Sequence, residues 1–271
     1  MSELTLPFTR DRLGTREMCE LILHSGQVAL RDINAGELPF EYSANKATLV
    51  PGPHGPILEG TPRFGPGYIL IKALVSQEHT FFSLINQLAL RVVDARVRLD
   101  GICGNVSGGM IPGFVLKLYL SHLYGGPVYY FYAREMRKEH GSREMLVGVD
   151  NTPFIKEGMN FGDVEELVNN AQTTCNAALT LRASGFRCTH AITILDYANS
   201  AAKIQREAIN LTQISLVTLP ELLAYARDVG KWPGPVIDDY LSYLESPDDW
   251  AARNQEAIIR TLQQKEEEHH G

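Results

Sequence analysis

Apolar residues between about residue 101 and residue 218 occur in short runs that alternate with longer, periodically spaced segments. Each short run is bounded by glycine or polar residues, which is typical of a buried strand. Five such runs follow one another, namely GICG, PVYYFYA, VEELV, HAITILDYA and QISLVTL. The segments between them have helical length and spacing, so the pattern predicts βαβ units and an α/β fold with a central, mostly parallel sheet flanked by helices. Right-handed crossovers place the connecting loops at the carboxyl ends of the strands, where α/β proteins bind ligands.

The segments on either side of this region have different patterns. Residues 11–31 have the apolar spacing of a helix, and residues 68–99 predict another. Residues 32–66 are rich in glycine and proline but keep recurring aromatic and aliphatic residues, which indicates short strands and loops. The C-terminal part predicts two helical segments and a charged tail. We therefore expect one domain over residues 1–230 and a C-terminal helical extension over residues 231–271.

Composition narrows the classes of function that the chain can have. It holds 271 residues, of which 44% are hydrophobic and 21% charged, as in ordinary globular proteins. The net charge of -7 argues against general affinity for nucleic acid, which needs a basic face. No apolar run approaches the ~20 residues of a membrane span, and the N-terminus has no segment of signal-peptide type. The four cysteines have no CxxC spacing, so we expect no zinc site and no disulfides, and a cytoplasmic location.

A basic cluster interrupts this acidic composition between Tyr132 and Gly148. Five cationic or titratable side chains stand within ten residues there: Arg134, Arg137, Lys138, His140 and Arg143. They directly follow the strand-like run PVYYFYA. A strand that delivers guanidinium, ammonium and imidazole groups onto a loop provides a clamp for phosphate. A solvated basic loop explains this segment equally well when it is considered alone.

Two further loops contain the groups that bind phosphate in many proteins. Ser107, Gly108 and Gly109 stand between a strand and a helix, where glycines let backbone N–H groups approach an anion. The same glycines also suit a tight strand-to-helix turn. The second loop, Gln172 to Asn176, contains Thr173 and Thr174 at a predicted helix start, where hydroxyl groups either cap the helix or hold a phosphate. Each motif alone leaves both interpretations open.

The order of these segments resembles the type I phosphoribosyltransferase fold, and most closely the orotate phosphoribosyltransferases. The resemblance covers roughly residues 15–225. GICGNVSGGMIP is similar to that family's pyrophosphate loop, and AREMRKEHG is similar to its catalytic loop, with Arg134, Lys138, His140 and Gly141 at matching positions. The segment over residues 28–52 resembles the family's N-terminal hood.

The resemblance implies transfer of ribose 5-phosphate from phosphoribosyl pyrophosphate to a pyrimidine base, with Mg²⁺ bound mainly through the phosphates. It implies Lys138 and His140 as catalytic residues, and Tyr197 and Ser43 beside the base. It further implies a homodimer whose catalytic loop reaches the partner's site. The residues implied to bind phosphoribosyl pyrophosphate are Arg134, Ser107, Gly108, Gly109, Asn169, Asn170, Thr173, Thr174, Cys175 and Asn176.

Two departures from the family pattern bear on function. Asn169 and Asn170 stand where the family has two acidic residues that hold the ribose hydroxyls, and Cys175 replaces a glycine. Asparagine can accept a hydrogen bond but contributes no negative charge to a developing sugar cation. Tyr197 stands near the position of an arginine that grips the orotate carboxylate. The alternatives are therefore a divergent transferase, a transferase for another base, and a catalytically impaired protein that binds a nucleotide or sugar phosphate as a regulator or scaffold.

Overall fold

The computed structural model describes the chain in six stretches. These are residues 7–42, 47–52, 55–60, 64–134, 146–149 and 152–270. Contacts divide the chain into two compact units. The first comprises Met1–Ser25 and Ile71–Leu222, and the second comprises Gly26–Leu70 and Leu223–Gly271. No helix among the described residues has the length and apolar character needed to cross a membrane.

The first unit is built on a six-stranded sheet. Its strands are β7 (Gly101–Asn105), β8 (Tyr129–Ala133), β9 (Leu146–Val147), β10 (Phe161–Val168), β11 (His190–Asp196) and β12 (Thr212–Thr218). The order across the sheet is β12-β11-β10-β7-β8-β9, and every neighbouring pair is parallel except β8 and β9. Its five parallel strands coincide with the five apolar runs of the sequence.

The register of the sheet brings the carboxyl ends of its strands together. Asn105 at the end of β7 pairs with Ala133 at the end of β8, and Val168 at the end of β10 pairs with Asp196 at the end of β11. The loops that the sequence marked for phosphate binding follow these ends directly. The βαβ topology therefore collects the candidate ligand groups at one edge of the sheet.

Helices cover the sheet of the first unit. They are α1 (Thr15–His24), α2 (Glu78–Asp94), α3 (Met110–Tyr124), α4 (Gln172–Ala183) and α5 (Ser200–Ala208). A further helix, α6 (Leu219–Asp228), follows β12. The helix predicted over residues 68–99 begins later than the pattern indicated. A 3₁₀ helix, Ile71–Ser76, precedes α2, and Gly67–Ile69 form a strand that pairs with Val28–Leu30, both strands lying in the second unit. The strand pairing provides hydrogen-bond partners for backbone N–H and C=O groups that would otherwise have been paired within a helix.

The second unit contains three two-stranded sheets and the C-terminal helices. The strand pairs are β1 (Val28–Leu30) with β6 (Gly67–Ile69), β2 (Phe40–Glu41) with β5 (Phe64–Gly65), and β3 (Ala47–Gly52) with β4 (Gly55–Gly60). The helices are α7 (Gly234–Glu245), α8 (Pro247–Arg253) and α9 (Gln255–His270).

Three C-terminal helices are found where two were expected. Ser246 separates α7 from α8, because its hydroxyl accepts a hydrogen bond from the backbone N–H of Asp249 at 3.4 Å and caps a new helix. Trp250 is fully buried, and its indole N–H donates to Asp239 Oδ1 at 2.9 Å. The second unit thus joins the segment predicted as a hood to the C-terminal segment. The domain boundary at residue 230 stays a prediction.

Candidate functional site

A cavity of about 310 Å³ lies at the carboxyl edge of the sheet in the first unit. It is lined by the ends of β7 and β8, by the residue that follows each, and by one face of α4. The lining residues are Asn105, Val106, Ala133, Arg134, Gln172, Thr173, Asn176, Ala177 and Thr180. Three of the predicted ligand-binding residues, Arg134, Thr173 and Asn176, therefore lie around one space.

The N-terminus of α4 opens onto this cavity. Ala171 precedes the helix in the left-handed conformation, with φ of 57°, and supplies no side-chain cap. The first backbone N–H groups of a helix have no partner within the helix, and the helix dipole makes this end favourable for anions. Thr173 and Thr174 lie inside the first turn, with Thr174 buried, so neither is the cap that one interpretation of the sequence expected.

Arg134 provides the positive charge of the cavity. It follows Ala133, the last residue of β8, so the sheet fixes the start of the predicted catalytic loop. No carboxylate is among the described residues that line the cavity. A guanidinium group and an uncapped helix N-terminus on one wall favour a phosphate group there.

The glycine loop packs closely against β10. Gly109 donates its N–H to Asn105 O at 2.9 Å, and a Cβ on Gly109 would lie 1.9 Å from the backbone oxygen of Val164. A Cβ on Gly108 would lie 1.7 Å from Glu166 Oε2. Glycine at 109 is therefore required by the approach of two backbones, which supports the tight-turn interpretation. The peptide bond between Val106 and Ser107 is cis. Ser107, Gly108 and Gly109 follow the lining residue Val106 without lining the cavity themselves.

Asn169 is held by the neighbouring loop. Asn199 Nδ2 donates to Asn169 O at 2.7 Å and to Asn169 Oδ1 at 3.0 Å, while Asn199 Oδ1 accepts from Ala202 N at 2.8 Å and caps α5. Asn169 thus joins the loops after β10 and β11. Asn170 is partly buried next to it. Neither asparagine lines the cavity.

The acids of β10 were missed as partners of the site. Asp163 is fully buried, and Asn105 Nδ2 donates to its Oδ2 at 3.2 Å. Burial raises the pKa of Asp163 well above its usual range. Burial, followed by a hydrogen bond with Glu166, raises the pKa of Glu165 to about 11. The sequence did contain an indication of this partnership. Acidic residues lie inside an apolar strand, and an asparagine ends the strand beside it in the sheet.

The remaining predicted residues have the following positions. Tyr197 is 3% exposed and donates its backbone N–H to Val168 O at 2.8 Å, so it does not line the cavity. Cys175 is buried on α4, and burial raises the pKa of its thiol. Lys138, His140 and Ser43 lie outside the described residues.

Asp196, the last residue of β11, has structural partners. It forms an ion pair with Arg206 Nη2 at 3.2 Å and accepts from Ala198 N at 2.9 Å. Both members of the ion pair are buried. Burial raises the pKa of Asp196, although Arg206 and the N–H of Ala198 oppose the shift.

A larger cleft of about 1070 Å³ lies elsewhere in the first unit and contains none of the predicted site residues. It lies between the N-terminal segment, α1 and α2, and its lining includes the acids Asp11, Glu17, Glu20 and Glu78. Its lining contains no lysine or arginine, so it opposes a phosphate ligand. The described residues also contain no group of three or more histidine, cysteine or acidic side chains that could hold a metal ion.

Comparison with known proteins relates this architecture to one enzyme family. No protein-family profile matches the chain. Orotate phosphoribosyltransferase of Cereibacter sphaeroides is 26% identical over 187 residues, which are 68% of this chain and 76% of that protein. The structure of orotate phosphoribosyltransferase from Aeropyrum pernix matches with a TM-score of 0.56 at 18% identity, over 80% of this chain and 99% of the other. Leishmania donovani UMP synthase matches with a TM-score of 0.59 at 16% identity, over 86% of this chain but only 42% of the synthase.

The chain is distantly similar to orotate phosphoribosyltransferases, which are type I phosphoribosyltransferases. The matched structures share too little sequence to indicate more than the fold. They confirm the α/β fold with a mostly parallel six-stranded sheet that the sequence predicted. The distant similarity supports a phosphoribosyltransferase-like function in general terms.

Proposed function

We propose that this protein transfers ribose 5-phosphate from phosphoribosyl pyrophosphate to a pyrimidine base. The observation that carries the proposal is the cavity at the carboxyl edge of the sheet, where Arg134 and the uncapped N-terminus of α4 line the same space. Both groups favour a phosphate, and the wall carries hydroxyl and amide side chains that can hydrogen-bond a sugar. The distant similarity to orotate phosphoribosyltransferases supports a pyrimidine as the acceptor.

In this proposal Arg134, Thr173 and Asn176 bind the phosphorylated ribose. Lys138 and His140 would neutralise the departing pyrophosphate, since developing negative charge is the main electrostatic demand of the reaction. Ser107, Gly108 and Gly109 would hold pyrophosphate, and Tyr197 and Ser43 would lie beside the base. We further propose a cytoplasmic homodimer, as in the family.

The described residues offer no cage for a metal ion, and Asn169 and Asn170 replace the acids expected near the ribose. Mg²⁺ usually keeps its waters and binds through substrate phosphates with few protein ligands. The ion would therefore enter as part of the magnesium complex of phosphoribosyl pyrophosphate, as substrate.

A second candidate is a protein that binds a nucleotide or sugar phosphate without transferring it. The observation favouring it is Asn169, whose two oxygens accept hydrogen bonds from Asn199 and which carries no negative charge. Without the family's acids, a developing sugar cation loses electrostatic stabilisation. Binding of the phosphate at Arg134 does not depend on those acids.

Calorimetric titration with phosphoribosyl pyrophosphate and Mg²⁺, followed by assay of pyrophosphate release with orotate or uracil, tests both candidates. We expect saturable heat, and an affinity about tenfold lower in Arg134→Ala, because a charge-assisted hydrogen bond is lost. Lys203→Ala is the matched control, since Lys203 is an exposed cation on α5 whose charge pairs with Glu207. Its affinity should equal that of the unmodified protein.

Pyrophosphate release that requires a pyrimidine supports the transferase. Heat without release for either base supports the second candidate. Absence of heat in the unmodified protein refutes both, because each requires a phosphate ligand in the cavity.

A further inference from the structure

Glu166 places a carboxylate against the glycine loop, residues 107–109. It belongs to β10, where the sequence VEELV carries two acids at the end of an otherwise apolar strand. A Cβ on Gly108 would lie 1.7 Å from Glu166 Oε2 and 2.1 Å from Oε1, so the carboxylate occupies the space that a side chain at position 108 would fill. Central strands of a parallel sheet are usually apolar, because both of their faces are covered. An acid at this place in β10 therefore needs an explanation.

The glycine loop is a position that favours an anion. Gly109 is the N-cap of α3 and makes no side-chain cap hydrogen bond, and the first turn of α3 contains no acidic residue. The first N–H groups of a helix and its dipole attract negative charge. Ser107 is exposed and Gly108 is partly exposed, so a ligand can reach the loop. Glu166 brings a negative charge to this position from within the chain.

The carboxylate of Glu166 is not held there by a hydrogen bond to Oε2. This oxygen is buried and has no hydrogen-bond partner among the described residues. A buried carboxylate oxygen without a donor is unfavourable. Because the carboxylate is also the end of a flexible side chain, another anion can displace it from the loop.

We propose that Glu166 is an autoinhibitory residue, whose carboxylate occupies the glycine loop and opposes ligands that carry a pyrophosphate group. The inference rests on the proposed function, which assigns pyrophosphate to Ser107, Gly108 and Gly109. The cavity beside Arg134 has no carboxylate among the described residues that line it, so a single phosphate binds there without this competition. A pyrophosphate group therefore adds little affinity until the carboxylate moves away or loses its charge.

The test compares ribose 5-phosphate with phosphoribosyl pyrophosphate by calorimetry at constant Mg²⁺, using the unmodified protein and Glu166→Gln. The two ligands differ by the pyrophosphate group, and glutamine keeps the shape of the side chain while removing its charge. We expect Glu166→Gln to bind phosphoribosyl pyrophosphate about tenfold more tightly, because repulsion by one nearby charge is removed. Its affinity for ribose 5-phosphate should change less than about twofold. Glu207→Gln is the matched control, since it removes one charge at an exposed position on α5, and it should leave both affinities unchanged.

Unchanged binding of phosphoribosyl pyrophosphate in Glu166→Gln would overturn the inference. Weaker binding would overturn it as well, because the carboxylate would then assist the ligand. Equal tightening of both ligands would show that the effect does not act through the pyrophosphate group. If Glu166→Gln does not fold, Glu166→Val places an apolar residue in the strand and should give the same selective tightening. If the unmodified protein binds neither ligand, the proposed function fails and the inference fails with it, whereas binding of ribose 5-phosphate without the selective change refutes the inference alone.

Discussion

Asp163 should make the stability of the protein depend on pH, because its carboxyl group is favoured in the neutral form when folded. It is fully buried, and burial raises its pKa well above the usual range. In the unfolded chain the same group ionises near pH ~3.9. The folded state therefore holds a proton that the unfolded state releases. The stabilising contribution of this proton is complete below about pH 4 and is lost as the pH rises towards the folded pKa.

The size of the effect follows from proton linkage. One proton bound only by the folded state lowers the free energy of unfolding by about 1.4 kcal/mol for each pH unit within that window. Asp163→Asn has the same shape, carries no titrating proton and can still accept from Asn105. Within that window its stability should fall by about 1.4 kcal/mol less per pH unit than the stability of the unmodified protein.

Glu165 adds its own dependence, since its pKa is raised to about 11 by burial and by Glu166. It remains in the Asp163→Asn variant, so the difference between the two proteins isolates Asp163. The assay is urea unfolding at pH 5, 6, 7 and 8 at constant ionic strength, with the free energy obtained from the midpoint and the slope. Asp248→Asn, at an exposed position on α8, is the control and should keep the original pH dependence. Identical pH dependence in Asp163→Asn and the unmodified protein would show that Asp163 is ionised when folded and would refute this reasoning.

Two sets of substitutions test the packing around the site by urea unfolding. Gly109→Ala should cost about 1–3 kcal/mol, because the new Cβ would meet a backbone oxygen at 1.9 Å, whereas Gly108→Ala should cost less, because only the end of a flexible glutamate side chain must move. Equal costs would contradict this difference. Arg206→Met should cost about 3 kcal/mol, because it leaves Asp196 buried without its cation, and adding Asp196→Asn should recover part of that loss. No recovery in the double variant would show that lost packing, rather than charge, is responsible.

The sheet was predictable from the sequence because buried parallel strands appear there as nearly continuous apolar runs. The start of α2 was not predictable in this way. Residues 67–69 are as apolar as the helix that follows, but their backbone pairs with Val28–Leu30, about forty positions earlier. Such a long-range partner leaves no trace in local periodicity. The capping of α8 by Ser246 was, by contrast, a local signal that the sequence contained.

Within the site, the sequence identified Arg134, Thr173 and Asn176, which the structure brings around one cavity. Arg134 belongs to the basic cluster, and Thr173 and Asn176 stand in the hydroxyl-containing loop, so their chemistry is visible locally. The partnership of Asn105 with Asp163 was not visible, because it depends on the register of two strands that are far apart in the chain. A polar residue inside an apolar strand indicates that it has a buried partner. The sequence does not show which residue that partner is.

The charged groups proposed for this site affect phosphate binding and transfer of the phosphoribosyl group differently. The two acids that the family has near the ribose are asparagines here, and Asn169 is engaged by its neighbouring loop. The acids Asp163 and Glu165 do not replace them, because burial favours their neutral forms and a neutral carboxyl group gives a sugar cation little stabilisation. In the proposed function, Arg134 and the helix N-terminus would act on the phosphate whether or not the bond to the leaving group is broken. Interactions made equally in the ground state and the transition state raise affinity without raising turnover. Under that proposal the described groups would support phosphate binding, and rapid transfer would depend on the groups of the predicted catalytic loop.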